Sequence, residues 1–358
     1  MTIPSDIIFQ ERAVSKAARV GGLRIGGGAP VSIQSMLSCD TLDKEKVFAQ
    51  IDALEAAGCD IIRLAVENKE QTEICHEYVG YAKVPLVADI QFDYRLALLS
   101  ADAGFAKIRF NPGNIGGEKN VREIVRACLA NGTAIRIGVN AGSLDRELIK
   151  KYGGRTAEAL AESVLSSVLI LENEGFDNIV LSAKSSDIRT MVDANRIIAE
   201  KCAYPLHIGL TESGYGEAGM TASAIAVGSL LLYGIGDTIR VSLTGEPVRE
   251  MAAARHILDA LGLSDRCRVV SCPTCSRCKC DLLSAVEEVS AAAQGIKRKM
   301  KVAIMGCAVN GPGEAADADC GAAFGGDNAV IFKKGRIVKS VAAENAAAAL
   351  IELLKNGE

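Results

Sequence analysis

Short apolar runs, rich in β-branched residues, alternate with longer helical stretches through the first 265 residues of the chain. The length and composition of these runs are typical of buried parallel strands. Several helical stretches end in Gly just before the next run, as in AAGCD and ADAGFAK, where Gly permits the left-handed backbone that stops a helix. The predicted strands cover residues 31–36, 60–66, 85–90, 106–111, 134–140, 178–184, 205–212 and 238–243. The predicted helices between them include residues 43–57, 94–103, 121–130, 156–174 and 186–202.

Eight strand–helix units predict a TIM (β/α)₈ barrel domain over residues 1–265. An open, doubly wound sheet is the alternative. We favour the barrel because eight is its closing number and because no GxGxxG motif follows the first strand. The Gly-rich stretch GGLRIGGGAP precedes the first strand and predicts a small hairpin that plugs the bottom of the barrel.

The pattern changes after residue 265, which predicts a second, small α+β domain over residues 266–358. Its first strand lies in CRVVSC, and a helix is predicted over residues 282–294. The run KVAIMG predicts another strand, residues 329–341 a hairpin, and residues 342–354 an Ala-rich helix. A chain of 358 residues is too long for one ordinary core, which agrees with one large domain and one smaller domain.

Charge and hydropathy exclude several classes of partner. A net charge of −4 gives no electrostatic footprint for nucleic acid or for an anionic membrane. No apolar run reaches the roughly 20 residues that span a bilayer, and the N-terminal residues carry charges where a signal peptide needs its apolar stretch. We therefore expect an intracellular, cytoplasmic protein.

Nearly every predicted strand carries a polar or charged side chain near its carboxyl end. Any one of them could pair with a helix, but together they converge on the mouth of the barrel, where barrel enzymes place their active sites. Four Arg and one Lys face two carboxylates there, and arginine favours bidentate binding of phosphate. We therefore expect a small molecule that carries a diphosphate. The residues are Arg63, Asp89, Arg109, Asn111, Arg136, Asn140, Lys184, His207, Glu212, Arg240 and Ser242.

Cysteines are unusually frequent, with 12 in the chain, and they crowd into its last quarter. The CxxC pair Cys272 and Cys275, with Cys307 farther on, predicts a metal centre that is closed by a distant ligand. Structural zinc is one interpretation. An iron–sulfur cluster is favoured because a CPxC turn is paired with a Gly-rich loop, whose backbone N–H groups can approach cluster sulfurs. The spacing leaves Cys278 and Cys280 unassigned.

The motifs SCPTCSR and MGCAVNGPGEA, at residues 271–277 and 305–315, resemble the bacterial 4-hydroxy-3-methylbut-2-enyl diphosphate synthase family of the non-mevalonate isoprenoid pathway. The stretches PVSIQSM, VADIQFDYRLAL, KIRFNPGNIG, IRIGVNAGSL, HIGLTESG and GIGDTIRVSLTGEP match the same family, so the resemblance covers nearly the whole chain. It implies a TIM barrel joined to a small cluster-binding domain similar to those of sulfite and nitrite reductases. Cys278 and Cys280 depart from the family, which usually carries polar residues there.

The resemblance implies an oxidoreductase that acts on CH or CH2 groups. It would reductively open and dehydroxylate 2-C-methyl-D-erythritol 2,4-cyclodiphosphate to 4-hydroxy-3-methylbut-2-enyl diphosphate, with two one-electron transfers through a 4Fe–4S cluster. The implied ligands are Cys272, Cys275, Cys307 and Glu314, with Asn310 beside the cluster. Glu212 is the expected proton donor, with Asp89 second. The expected partners are reduced flavodoxin or ferredoxin, and a second copy of the chain in a homodimer in which each cluster domain caps the partner's barrel.

Two other classes of function compete with a reductive synthase. One is a phosphate-binding barrel aldolase or isomerase whose cysteine domain holds only structural zinc. The other is a non-catalytic iron–sulfur assembly or sensor protein, against which the arginine-lined barrel mouth argues. Iron content and the requirement for Cys307 discriminate among the three.

Overall fold

The computed structural model describes Arg12 and residues 14–278, 280–307, 313 and 315–356. The chain divides into two compact units between Ile257 and Leu258. The helix Pro247–Ala260 runs through this point, so its continuous periodicity conceals the division in the sequence.

Eight parallel strands form the sheet of the first unit, and this confirms the barrel over the open sheet. The strands are β3 (Ser32–Met36), β4 (Ile61–Ala65), β5 (Leu86–Asp89), β6 (Lys107–Phe110), β7 (Ala134–Asn140), β8 (Ile179–Lys184), β9 (His207–Ile208) and β10 (Thr238–Ile239). Their order in the sheet is β8-β7-β6-β5-β4-β3-β10-β9, and a parallel bridge between Leu181 and Leu206 nearly closes the ring. β9 and β10 are shorter than predicted, with two residues each.

Helices alternate with the barrel strands along the chain, as the sequence predicts. Asp43, Asn68 and Thr156 begin three of them, because each side chain accepts a hydrogen bond from a backbone N–H of the first turn. No helix in the described part of the chain is long and apolar enough to cross a membrane. The helices are Lys44–Ala56, Lys69–Tyr81, Tyr94–Asp102, Glu118–Asn131, Arg146–Tyr152, Ala157–Asn173, Ile188–Lys201, Gly216–Leu232 and Pro247–Ala260, with 3-10 turns at Pro112–Asn114 and Ala141–Ser143.

A two-stranded hairpin, β1 (Ala18–Val20) and β2 (Leu23–Ile25), precedes the barrel strands. Ala18, Val20 and Ile25 are buried in one cluster with the first residues of several barrel strands, among them Ile61 and Ala134. The hairpin therefore closes the amino-terminal end of the barrel with apolar side chains, as the sequence predicts. Asp89 and Arg136 lie two residues beyond Val87 and Ala134 of this cluster, toward the carboxyl ends of their strands.

The second unit contains a five-stranded sheet in the order β11-β12-β13-β14-β15, in which the first three strands are parallel and the last two antiparallel. The sequence pattern misses β13 because CGAAF lacks the β-branched residues that mark strands. Its Gly321 is required: an added Cβ would lie 2.2 Å from the Ala303 carbonyl oxygen. The elements are β11 (Cys267–Ser271), α-helix Leu282–Ala293, β12 (Met300–Met305), β13 (Cys320–Phe324), β14 (Asn328–Lys333), β15 (Arg336–Ala342), 3-10 turn Ala343–Asn345 and α-helix Ala346–Asn356.

Candidate active site

The barrel strands bring charged side chains side by side in its interior. In the sheet register Asp89 pairs with Arg109, and Arg109 pairs with Arg136 on the next strand. All three are buried, as are Arg63, Lys184 and His207. The structure therefore brings these strand residues together in the barrel interior.

Asp89 is the carboxylate at the centre of this arrangement. It accepts a hydrogen bond of 2.8 Å from Arg109 Nη1 and lies 3.8 Å from Arg63 Nε. Burial alone raises the pKa of Asp89, but the charges of Arg63 and Arg109 outweigh it and hold the pKa below its usual value. Asp89 therefore stays ionised and positions two guanidinium groups.

Replacement of Asp89 by asparagine is expected to lower the free energy of unfolding by about 3–5 kcal/mol, because it leaves two buried guanidinium groups without their anion. Since the folded-state pKa is depressed, Asp89 stabilises the fold above about pH 3.9 and loses this effect as the pH falls through the folded value. Urea denaturation of Asp89→Asn and of the control Asp102→Asn, at an exposed helix position, measures the difference. Equal stability of the two variants would contradict the central role of Asp89.

Glu250 is a second buried carboxylate of the interior, and the sequence analysis missed it. It accepts hydrogen bonds from Ser35 Oγ (2.9 Å) and the Leu243 N–H (3.2 Å), and its oxygens lie 3.4 Å from Arg240 Nε and Nη2. It stands in the first turn of the helix Pro247–Ala260, where an acidic residue is ordinary for the helix dipole. Only the tertiary structure shows that this carboxylate orients Arg240.

Several buried nitrogen atoms among these cations have no hydrogen-bond partner among the described residues. They are Arg109 Nε, Arg136 Nε and Nη1, both ring nitrogens of His207, and Lys107 Nζ. Burial, followed by the charges of Arg136 and Lys184, holds the pKa of His207 well below its usual value, so its ring is neutral. Buried donors without acceptors are costly, so this part of the barrel is suited to an anionic ligand.

Two glycines leave the space that the cationic side chains occupy. A Cβ added to Gly138 would lie 2.6 Å from Arg109 Nε and 3.3 Å from Arg136 Nη2. A Cβ added to Gly209 would lie 2.4 Å from the Arg240 carbonyl oxygen and 3.2 Å from Lys184 Nζ. Any larger residue at these positions would displace the cations.

Lys107 also belongs to this interior and is missing from the sequence-based set. It is fully buried, and burial, with Arg136 and Arg63 nearby, holds its pKa well below the usual value. Strand alternation places residues 107, 109 and 111 on one face, so the period-2 rule could have found it.

Lys107→Met is expected to raise the free energy of unfolding of the ligand-free protein by about 1–3 kcal/mol, because it removes an unpartnered buried polar group. The unfolded chain binds a proton that the folded lysine does not, so wild-type stability rises with pH from the lowered pKa up to about 10.4. The variant should show a shallower rise. Denaturation at several pH values measures it against the exposed control Lys69→Met, and identical pH slopes would refute the prediction.

Asn111 follows β6, Asn140 is the last residue of the neighbouring strand β7, and Ser143 links the two. Asn111 Nδ2 donates to Ser143 Oγ at 3.3 Å, and Ser143 Oγ donates to the Asn140 carbonyl at 3.1 Å. Asn111 Oδ1 accepts from the Gly113 N–H at 3.1 Å, which fixes the turn Pro112–Asn114. Hydrogen bonds therefore connect the two predicted residues where neighbouring strands end.

Glu212 lies in the loop after β9 and its side chain is exposed. Its φ of 55° is in the left-handed region that non-glycine residues seldom adopt. The loop contacts the segment that follows β10, since Ser213 Oγ donates to the Ser242 carbonyl and the Thr244 N–H donates to the Gly214 carbonyl. Backbone strain of this kind clusters at functional loops.

In the second unit, Cys272 and Cys307 follow the carboxyl ends of two adjacent parallel strands, β11 and β12. The Gly306 N–H donates to Cys272 Sγ at 3.1 Å, which places the residue before Cys307 against the CPTC turn. Cys275 is exposed, and Cys272 and Cys307 are half-buried. Glu314 and Asn310 lie outside the described residues. Among the described residues, no three metal-binding side chains are grouped closely enough to hold an ion.

Comparison with known protein families shows which family this chain belongs to. The profile described as the GcpE TIM-barrel domain matches residues 15–255, and that of the GcpE protein C-terminal domain matches residues 268–356. The chain belongs to the GcpE family. The resemblance seen in the sequence motifs is therefore confirmed across both units.

Curated relatives of this GcpE chain carry one name. It is 50% identical over 352 residues to the 4-hydroxy-3-methylbut-2-en-1-yl diphosphate synthase (flavodoxin) of Caldanaerobacter subterraneus subsp. tengcongensis, covering 98% of each chain. It is 46% identical to the protein of the same name from Ruminiclostridium cellulolyticum, covering 96% of this chain and 97% of the relative. A type I 3-dehydroquinate dehydratase from Clostridium difficile shares the fold alone, with a TM-score of 0.50 and 14% identity over 70% of this chain and 98% of that one.

Proposed function

We propose that this GcpE chain catalyses the reductive ring opening and dehydroxylation of 2-C-methyl-D-erythritol 2,4-cyclodiphosphate to 4-hydroxy-3-methylbut-2-enyl diphosphate, a step of isoprenoid precursor biosynthesis. The observation that carries the proposal is the match, over 98% of both chains, to a relative named for the synthesis of this product. The buried cations of the barrel agree with a diphosphate ligand.

The diphosphate is bound by Arg63, Arg109, Arg136, Lys184, Arg240 and Ser242. Arg136 supports this assignment best, because its Nε and Nη1 atoms are buried without a hydrogen-bond partner among the described residues. Arg63, Arg109 and Arg240 are oriented by Asp89 and Glu250, so their geometry is set before the ligand arrives. Asn111, Asn140 and His207 are the proposed further contacts.

Glu212 donates the proton to the departing hydroxyl group. Asp89, the second choice, is held by two guanidinium groups that keep its pKa below the usual value, so it is a poor acid. Glu212 stands on a strained, exposed loop that contacts Ser242 in the segment after β10, and this position is compatible with proton delivery to a bound substrate.

A 4Fe–4S cluster, when bound, supplies two electrons one at a time. The soft thiolates of Cys272, Cys275 and Cys307 suit iron–sulfur ligation, and Glu314 is the proposed fourth ligand, with Asn310 nearby. Two adjacent strand ends and the Gly306 N–H bond to Cys272 Sγ support this set, because backbone N–H groups tune cluster sulfurs.

Reduced flavodoxin is the proposed electron donor, since the names of the relatives include it, and ferredoxin is the alternative. A homodimer in which each cluster domain caps the partner's barrel, and a cytoplasmic location, complete the proposal. Sedimentation of the anaerobic protein tests the dimer.

The decisive experiment combines metal analysis with an assay of the anaerobically purified protein. We expect about four irons per chain with matching sulfide, a broad absorbance near ~400 nm, and conversion of the cyclic diphosphate by reduced flavodoxin. Zinc without iron after anaerobic reconstitution would instead favour the aldolase or isomerase interpretation. Iron without binding of the cyclic diphosphate would favour an assembly or sensor protein.

A further inference from the structure

Two thiols that the proposed ligand set does not use, Cys278 and Cys280, follow the CPTC turn. Their Sγ atoms lie 3.7 Å apart, and Cys278 Sγ also lies 3.5 Å from the Cys280 carbonyl oxygen. Both side chains are half-buried against the core of the second unit. The pair is therefore already in contact and partly accessible.

The Cys278 thiol shares its surroundings with a proposed cluster ligand. A Cβ added to Gly306 would lie 2.7 Å from Cys278 Sγ, and the N–H of the same glycine donates to Cys272 Sγ at 3.1 Å. Cys307 is the next residue in the chain. A thiol inside the proposed ligand set and a thiol outside it thus meet at one backbone position.

The geometry of the pair favours a bond between the two sulfurs. The 3.7 Å between the two sulfurs is the spacing of non-bonded neighbours, and an S–S bond of about 2.05 Å requires them only to come closer. The residues are two apart in the chain, so almost no chain entropy is lost. A small, strained disulfide ring is easily reduced, which is typical of labile rather than structural disulfides.

We propose that Cys278 and Cys280 form a redox modification site that interconverts between dithiol and disulfide by exchange with a small-molecule disulfide of the oxidised glutathione class. One thiolate attacks the small disulfide, forms a mixed disulfide and expels one small thiol. The second thiolate then attacks the protein sulfur of the mixed disulfide and expels the other. The protein loses two electrons and two protons, the small disulfide gains them, and excess small thiol reverses both steps.

Closure of this pair decides which sulfurs remain available to a metal. A disulfide sulfur has no thiolate charge to donate, so closure removes Cys278 and Cys280 as competing ligands and leaves the metal to the proposed ligands Cys272, Cys275 and Cys307. The disulfide itself does not depend on the proposed function, whereas this consequence for ligand choice rests on it.

Disulfide mapping of the full-length protein tests the site. The protein is equilibrated anaerobically in buffers from fully reduced to fully oxidised glutathione, acid-quenched, alkylated and digested with trypsin. Trypsin cleaves after Arg277 and Lys279, so the closed pair joins peptide 278–279 to peptide 280–297. We expect this linked species to form first, with loss of two of the 12 alkylatable thiols. Its amount should exceed that of any other internal disulfide at least tenfold.

Variants separate this pair from its neighbours. Cys267→Ser removes another half-buried thiol of the same unit and should form the linked peptides like the wild type. Cys278→Ser should abolish them, and the double variant Cys278→Ser/Cys280→Ser should keep its iron content. Linkage through Cys272, Cys275 or Cys307, or a pair that stays reduced in full oxidant, would overturn the inference. Mapping needs no substrate, so an inactive protein that closes the pair would count only against the proposed function.

Discussion

Cys307→Ser is expected to remove most of the bound iron and to lower reductive turnover by roughly 10³-fold or more, a large part of an enzymatic acceleration that is typically at least 10⁶-fold. Cys307 follows β12 directly after Gly306, whose N–H contacts Cys272 Sγ, so serine at this position removes a thiolate next to another proposed ligand. Serine oxygen is a hard, weakly acidic donor and a poor substitute for a soft thiolate.

Anaerobic iron and sulfide analysis, with turnover of the cyclic diphosphate, measures this effect. Cys39→Ser provides the control, because Cys39 is a half-buried thiol of the barrel unit outside the proposed ligand set. Turnover at the wild-type rate in Cys307→Ser would show that the cysteine unit has only a structural role. Retention of zinc with loss of iron would point the same way.

Arg136→Met is expected to weaken binding of the cyclic diphosphate by roughly 100-fold while iron content stays unchanged. Each hydrogen bond to a charged group contributes about 1.5–3 kcal/mol, and Arg136 Nε and Nη1 are buried donors that await an acceptor. The ligand-free variant should be at least as stable as the wild type, because methionine avoids the cost of burying a cation without an anion.

Two measurements separate binding from folding in this variant. Thermal unfolding with and without substrate gives the stabilisation by ligand, and steady-state assays give KM. Arg126→Met serves as the control, since Arg126 is an exposed arginine of a barrel helix. A variant that binds substrate like the wild type, or one that loses stability in the absence of ligand, would contradict the role of Arg136.

The sequence by itself determined the class of the barrel and most of its elements. Buried strands and amphipathic helices alternate along the chain, and the polar residues near the strand ends, among them Arg63, Arg109 and Arg136, predicted a shared site at the mouth of the barrel. The motifs around Cys272 and Cys307 indicated the reaction, because they match a family with a known reaction and composition alone does not. The residue type of a strand end is a local property, and local properties can be read in order along the chain.

Only the tertiary structure decided how those side chains are paired. Glu250 lies on a helix and Lys107 begins a strand, yet both join the cations of the interior through contacts between elements far apart in the sequence. Strand β13 was missed because its small residues are selected by close packing against Phe332 and not by strand propensity. The contact of Gly306 with Cys272 and Cys278 likewise depends on the parallel register of β11 and β12. Register and packing are set by the whole fold, so no local pattern contains them.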